Sequence, residues 1–277
     1  SDNVVQPYKS SMYSLSGNQR MLEGAAPEQT PNIIDRRNGI VKYLKYNALK
    51  DSISNVSASV SENIFAETFS SNLNVSLRQT EHLGGLLNDV VLSTEFGEDA
   101  VSSQLKQVSK LIKLRSALKT ERDVFVISHG GYDTHNDAGE VFKGKMDEMN
   151  AGLTSFVSEM VHQGVYEDIV VVSTSDFGRT LTSNGQGTDH AWGGNYFVLG
   201  GDVKGKRILG QYPEKLGAGG SLNIGRGRIL PTRSWESLWN AVSEWFGVVP
   251  NKMDYVLPNK ANFPADQLFS EGDLFKN

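Results

Sequence analysis

Three apolar runs end at polar loops, and this alternation constrains the fold more than any other feature. Val124-Phe125-Val126-Ile127 runs into Ser128-His129-Gly130-Gly131; Ile169-Val170-Val171-Val172 runs into Ser173-Thr174; Tyr196-Phe197-Val198-Leu199 runs into Gly200-Gly201. Runs that are apolar throughout, rather than alternating, fit strands covered on both faces, as in parallel sheets. Between the first two, Phe142, Met146, Met149, Leu153, Phe156 and Met160 recur at helical spacing, which predicts an amphipathic helix ended by Gly164. Its methionine stripe reads as core. Strand, helix, strand, loop, strand predicts an α/β fold: a doubly wound, mostly parallel sheet flanked by helices, with ligands beyond the carboxyl ends of the strands.

The flanking regions carry weaker signals. Residues 1–31 have no sustained period and are expected to be irregular or edge structure, and residues 38–92 read as two or three helices. Val101, Leu105, Val108 and Ile112 lie on one face of a helix within residues 98–119. Trp235, Leu238, Trp239, Val242, Trp245 and Phe246 form another such face, closed by Gly247, with the tryptophans read as packing anchors. No repeat or linker interrupts the chain. The expected organisation is one α/β domain over 1–277, with an irregular and helical N-terminal portion (1–97) and a core carrying the motifs (98–277).

Bulk properties exclude several functions. A chain of 277 residues can bury roughly three quarters of its unfolded surface in a core. A net charge of −5 without a basic run argues against nucleic acid as a partner. No apolar stretch approaches the roughly 20 residues that a membrane-spanning helix needs. Cysteine is absent, which removes disulfides, thiolate catalysis and Cys-ligated zinc while leaving the compartment open. The chain begins Ser1-Asp2-Asn3 without a methionine, as after removal of a signal segment or trimming of the start.

Three loops carry the candidate chemistry. His129 to Asp137 holds two histidines and two aspartates among glycines that permit sharp turns, and carboxylate and imidazole are ligands that zinc, manganese or iron accept. Ser175-Asp176-Phe177-Gly178-Arg179-Thr180 offers Asp176 as a ligand and Arg179 as a planar clamp for an oxyanion. Gly187-Thr188-Asp189-His190 offers a ligand beside a carboxylate that could orient it. Each loop alone also reads blandly, as a satisfied turn, a cap or a surface ion pair. Together they border successive strands, where a parallel sheet brings loops into one place.

With Gly131-Tyr132-Asp133-Thr134-His135, Ser175 to Thr180, Gly187 to His190 and Gly200-Gly201-Asp202-Val203-Lys204-Gly205 in order, the chain resembles a family of uncharacterised exported proteins. That family is grouped with the alkaline phosphatase and sulfatase superfamily, and its function is largely unassigned. The resemblance covers roughly residues 98–269. It implies an alkaline-phosphatase-like fold, a secreted, cell-surface or periplasmic location, and metal-dependent hydrolysis of phosphate or sulfate esters. By the same resemblance Asp133, His135, Asp176 and His190 would hold a divalent ion (zinc, manganese or calcium), and Arg179 would clamp the oxyanion. The substrate would be a small-molecule or glycan ester.

The pattern also departs from the superfamily. Phe177 stands where a metal-binding His follows the Asp, Asp133 and His135 are only two apart, and no strand with a nucleophile and ligating Asp is apparent within residues 1–38. That strand is therefore expected upstream of Ser1 or not at all. Two further readings stand beside the enzyme: a non-catalytic exported domain that binds or assembles with an extracellular partner, and a structural domain whose loop polar groups satisfy one another.

Overall fold

A computed structural model describes residues 9–24, 31–40, 43, 45–58 and 62–276. The expectation of irregular structure at residues 1–8 and 25–30 lies outside these. The chain divides into two compact units, Ser1–His129 with Glu148–Glu159, and Gly130–Asp147 with Met160–Asn277.

The first unit is built on a four-stranded sheet. Strands β1 (Met12–Ser14), β2 (Asn32–Asp35) and β3 (Gly39–Ile40) precede helices α1 (Tyr46–Ser57), α2 (Ile64–Asp89), α3 (Ala100–Lys113) and α4 (Arg115–Leu118), and β4 (Val124–Val126) follows. The order is β3-β2-β1-β4, with β1 parallel to both β2 and β4 and β3 antiparallel to β2. The β2–β3 turn is closed by Asp35, whose Oδ1 accepts the Arg37 and Asn38 N–H groups, while Gly39 takes a φ of +79°.

The interior strand β1 corrects the expectation for residues 1–31. Its Tyr13, Ser14 and neighbouring Leu15 are buried, and Tyr13 stacks on Phe125, its register partner, at 5.1 Å between ring centroids. Burial, then the nearby Asp123 charge, pushes the Tyr13 hydroxyl up to about 12. A strand of three residues is shorter than any window in which a period can be read.

Helix α3 buries Val101, Leu105, Val108 and Ile112, the face read from the sequence. Its N-cap is Asp99, whose Oδ1 accepts from Val101 N (3.0 Å) and Ser102 N (2.9 Å). Burial works to raise the Asp99 pKa, but hydrogen bonds from Ser102 and from both N–H groups outweigh it and hold it below the ordinary value. Asp99→Ala is expected to cost about 1 kcal/mol, read as a lower midpoint in urea unfolding. Because the folded pKa is depressed, the stabilisation is complete above the ordinary carboxylate value and is lost as pH falls through the folded one. The variant's deficit should therefore vanish in strong acid.

Helix α5 (Ala138–His162) contributes Glu148–Glu159 to the first unit and its ends to the second. Its apolar stripe is buried at Phe156 and Met160 but opens to solvent at Phe142, so the methionine core expected there holds for the C-terminal half. Gly164 ends it with a φ of +68°. Fully buried Glu159 accepts the Ser93 and Thr94 N–H groups, which pins the chain after α2.

In the second unit β5 (Val170–Val172) pairs antiparallel with β8 (Val198–Gly200), and between them β6 (Gly178–Ser183) pairs antiparallel with β7 (Thr188–Ala191). Helices α6 (Trp235–Phe246), α7 (Met253–Val256) and α8 (Glu271–Leu274) follow, and Ala241 of α6 shares a core with Leu274 and Phe275. The protein is thus α/β with mixed strand pairing. The parallel pairing expected for the apolar runs holds for β4, which lies parallel to β1, and is corrected for β5 and β8, which run opposite ways. They are joined by a β excursion without the helix of a parallel crossover, and antiparallel pairing needs no such helix. Among the described residues no helix is long and apolar enough to cross a membrane.

Candidate functional site: an Asp-His-His cluster on a β-hairpin

The region expected to be a loop before the third apolar run is a hairpin, and its register creates the site. Arg179 on β6 lies directly opposite His190 on β7, so their side chains are cross-strand neighbours on one face. Side chains alternate along a strand. Thr188 and His190 therefore share a face, and Asp189 points to the other.

The loop from Gly131 supplies the third component. Thr134 is buried, and its carbonyl accepts the Thr188 N–H at 3.1 Å, which extends the hairpin edge by one contact. Asp133 and His135, on either side of it, are exposed. Gly187 allows the two segments to touch: a Cβ there would lie 2.4 Å from both the Thr134 oxygen and the His135 carbonyl carbon. Gly131, with a φ of +96°, starts the loop.

These contacts converge on one atom. Asp133 Oδ1 lies 2.6 Å from His190 Nε2, 3.0 Å from His135 Nδ1 and 2.8 Å from Arg179 Nη1. One potential ligand atom from each of Asp133, His135 and His190 falls within 4.8 Å of the others. Arg179 is oriented by its remaining bonds, Nε donating to Thr188 Oγ1 at 2.9 Å and Nη2 to the Thr188 carbonyl. His190 is stacked under Phe177, with ring centroids 4.2 Å apart and planes within 5°, and the Arg179 guanidinium lies 5.7 Å from that same phenyl ring. The hydrogen bond from His190, followed by those of Arg179 and the charge of His135, holds the Asp133 carboxyl below the usual range.

The sequence-derived candidates therefore separate. Asp133, His135, His190 and Arg179 come together, whereas Asp176 is outside the cluster; it is exposed, and its charge acts on Tyr196. Asp189, expected to orient its neighbour His190, instead meets Asn184 at 3.2 Å and Arg226 at 2.5 Å; the Asn184 hydrogen bond, then the charges of Arg226 and His135, hold its carboxyl below the usual value. A cavity of about 460 Å³ opens beside Arg226, walled by Leu181, Thr182, Leu216 and Gly227.

Residues 88–219 match a family described as Protein of unknown function (DUF1501). The matched stretch holds every candidate site residue. It supports an uncharacterised domain family and carries no activity with it. No curated protein and no solved structure matches the chain. The residues that sequence reading missed are Thr188 as an arginine-orienting partner and Gly187 as the point of approach. The signal was present, because Thr180 to Ser183 and Thr188 to Ala191 flank Asn184-Gly185, a dipeptide typical of hairpin turns.

Proposed function

We propose that Asp133, His135 and His190 hold one divalent metal ion, and that with Arg179 they form the centre of a phosphate- or sulfate-ester hydrolase of the alkaline phosphatase and sulfatase type, acting outside the cytoplasm. The observation that carries this reading is the meeting of two imidazoles and a guanidinium on a single carboxylate oxygen.

The donor set fits an ion. Ligands about 2.1 Å from a tetrahedral ion stand about 3.4 Å apart, so the contacts of 2.6 and 3.0 Å need open by less than an ångström. Two imidazoles and one carboxylate, open to solvent on one side, suit zinc, manganese or iron, whereas calcium prefers an all-oxygen shell. A carboxylate has two oxygens, so Asp133 can serve an ion with one and Arg179 with the other. Such an ion would supply Lewis-acid polarisation of an ester oxygen.

The chain's own groups do the rest. Thr188 fixes Arg179 so that its unused N–H bonds can meet the equatorial oxygens of a phosphate or sulfate, where charge develops during transfer. Phe177 holds the His190 ring in one plane and shields one face from water. Only one set of ligands is present among the described residues, which points to a one-ion centre. The phenyl ring in place of an imidazole also favours the second reading, a non-catalytic binding domain.

Elemental analysis of the purified protein at neutral pH is expected to find one divalent ion per chain, and assays with aryl phosphate and aryl sulfate to find turnover abolished by a chelator. Absence of any stoichiometric ion would overturn the metal site. A bound ion with no turnover of either ester would leave the binding reading in place of the hydrolase.

A further inference from the structure

Helix α2 presents two different sides. Leu73, Leu77, Gly84 and Leu87 fall on the side that is buried or half-buried, where α1 and β3 pack against it. A Cβ on Gly84 would lie 2.6 Å from the Ile40 side chain of β3, so the C-terminal end of the helix sits tightly on that strand. The opposite side is bare. Phe65, Thr68, Asn72, Val75 and Gln79 step by 3, 4, 3 and 4 residues, with Ile64, Phe69 and Ser76 beside them, and all of these are exposed. At about 100° per residue they share an arc of about 140°. Phe65 is 83% exposed, Ile64 73%, Phe69 69% and Val75 49%. None of the residues on this face is charged, and Glu67 and Arg78 of the same stretch lie elsewhere around the helix.

A helix face left to water ordinarily carries charged side chains. Aromatic and aliphatic residues among small polar ones, with no charge, are instead the composition of an interface centre, and the 3-4 repeat is that of a seam between two helices. We propose that this face of α2 pairs with the same face of a second copy of the chain, forming a two-fold dimer. Asn72 argues for a second copy as the occupant. It stands at the middle of the seam, so a two-fold axis beside it sets Asn72 against its own copy whichever way the helices run, and an amide that both donates and accepts is complementary to itself. An uncharged face also offers nothing to a partner of strong charge. Covering Ile64, Phe65, Phe69 and Val75 would hide about 500 Å² on each chain, about 1,000 Å² in all, which is the scale a specific interface needs. The dimer owes nothing to the proposed metal or to hydrolysis.

Sedimentation velocity of the full chain tests this, with a dimer expected at micromolar concentration. Phe65→Glu combined with Phe69→Glu should weaken association at least a hundredfold, because two carboxylates from each chain would be buried without partners. Both rings are exposed, so the core is untouched and the circular dichroism spectrum should not change. A second measurement does not depend on that variant. The chain has no cysteine, so Asn72→Cys carries a single thiol, which should form a disulfide with its own copy under mild oxidation. Arg78→Cys, exposed on another side of α2, should cross-link at least tenfold more slowly. A chain that stays monomeric at every concentration, equal association after the double substitution, or equal cross-linking at positions 72 and 78 overturns the dimer. Flotation of a monomeric chain with phosphatidylcholine vesicles would assign the face to a lipid surface and overturn it as well.

Discussion

The Asp133→Ala, His190→Ala double variant is expected to retain no divalent ion under conditions where the parent holds one per chain, a loss of at least a thousandfold in affinity. Even a partner that only orients a ligand is worth about 10- to 100-fold, and this pair removes two of the three ligands themselves. Competition with a chromophoric chelator measures the effect. Both side chains are more than half exposed, so their removal leaves the core unchanged and the unfolding midpoint should move little in metal-free buffer. Undiminished ion content in the double variant would place the metal elsewhere. Acidification gives a second check. The Asp133 pKa is depressed in the fold, so the carboxylate stays ionised, and its interactions intact, above and through the ordinary carboxylate value; they are lost only as pH falls through the lower folded one.

Gly187→Ala is expected to separate the two halves of the site, although Gly187 offers no ligand. An added methyl would meet the Thr134 oxygen and His135 carbonyl carbon at 2.4 Å, and these are backbone atoms that cannot swing aside. Either the Asp133 loop or the hairpin must move, breaking the Thr188 N–H bond to Thr134 and withdrawing His135 from His190. A misplacement of about 1 Å at a reacting centre costs on the order of a hundredfold in rate, and metal affinity should fall comparably. Overpacking also destabilises by about 1–3 kcal/mol. The comparison that separates these effects is Gly185→Ala at the turn. Gly185 takes a φ of +109°, so alanine there strains the turn, but no atom stands near its missing Cβ. Equal metal affinity in Gly187→Ala and the parent would show that the close approach does not position the site.

Long elements were legible because their periods repeat many times. The α3 face and the C-terminal half of α5 follow from apolar spacing alone, and β4, β5 and β8 were visible as uninterrupted apolar runs. Strand direction was legible only in part, at β4, which pairs parallel with β1. The apolar runs suggested parallel partners, but whether β5 meets β8 parallel or antiparallel depends on the route of the connection, and the β6–β7 hairpin replaces the expected loop. The interior strand β1 escaped notice because Met12-Tyr13-Ser14 is too short to carry a period and, unlike β4, β5 and β8, is not an uninterrupted apolar run.

What the sequence determined by itself was the chemical inventory: carboxylate, imidazole and guanidinium on three loops beside apolar runs, and glycines where the chain must turn. It could not decide which of them meet. Asp189 and His190 are adjacent in the chain yet face opposite ways, because a strand alternates its side chains, while Asp133 reaches His190 across 57 positions. Asp176 carries the same chemistry as Asp133 but stands outside the cluster. Only hairpin register and the close packing of Gly187 against the Asp133 loop select the members of the site, since both are set by long-range backbone contacts that no local stretch of sequence contains.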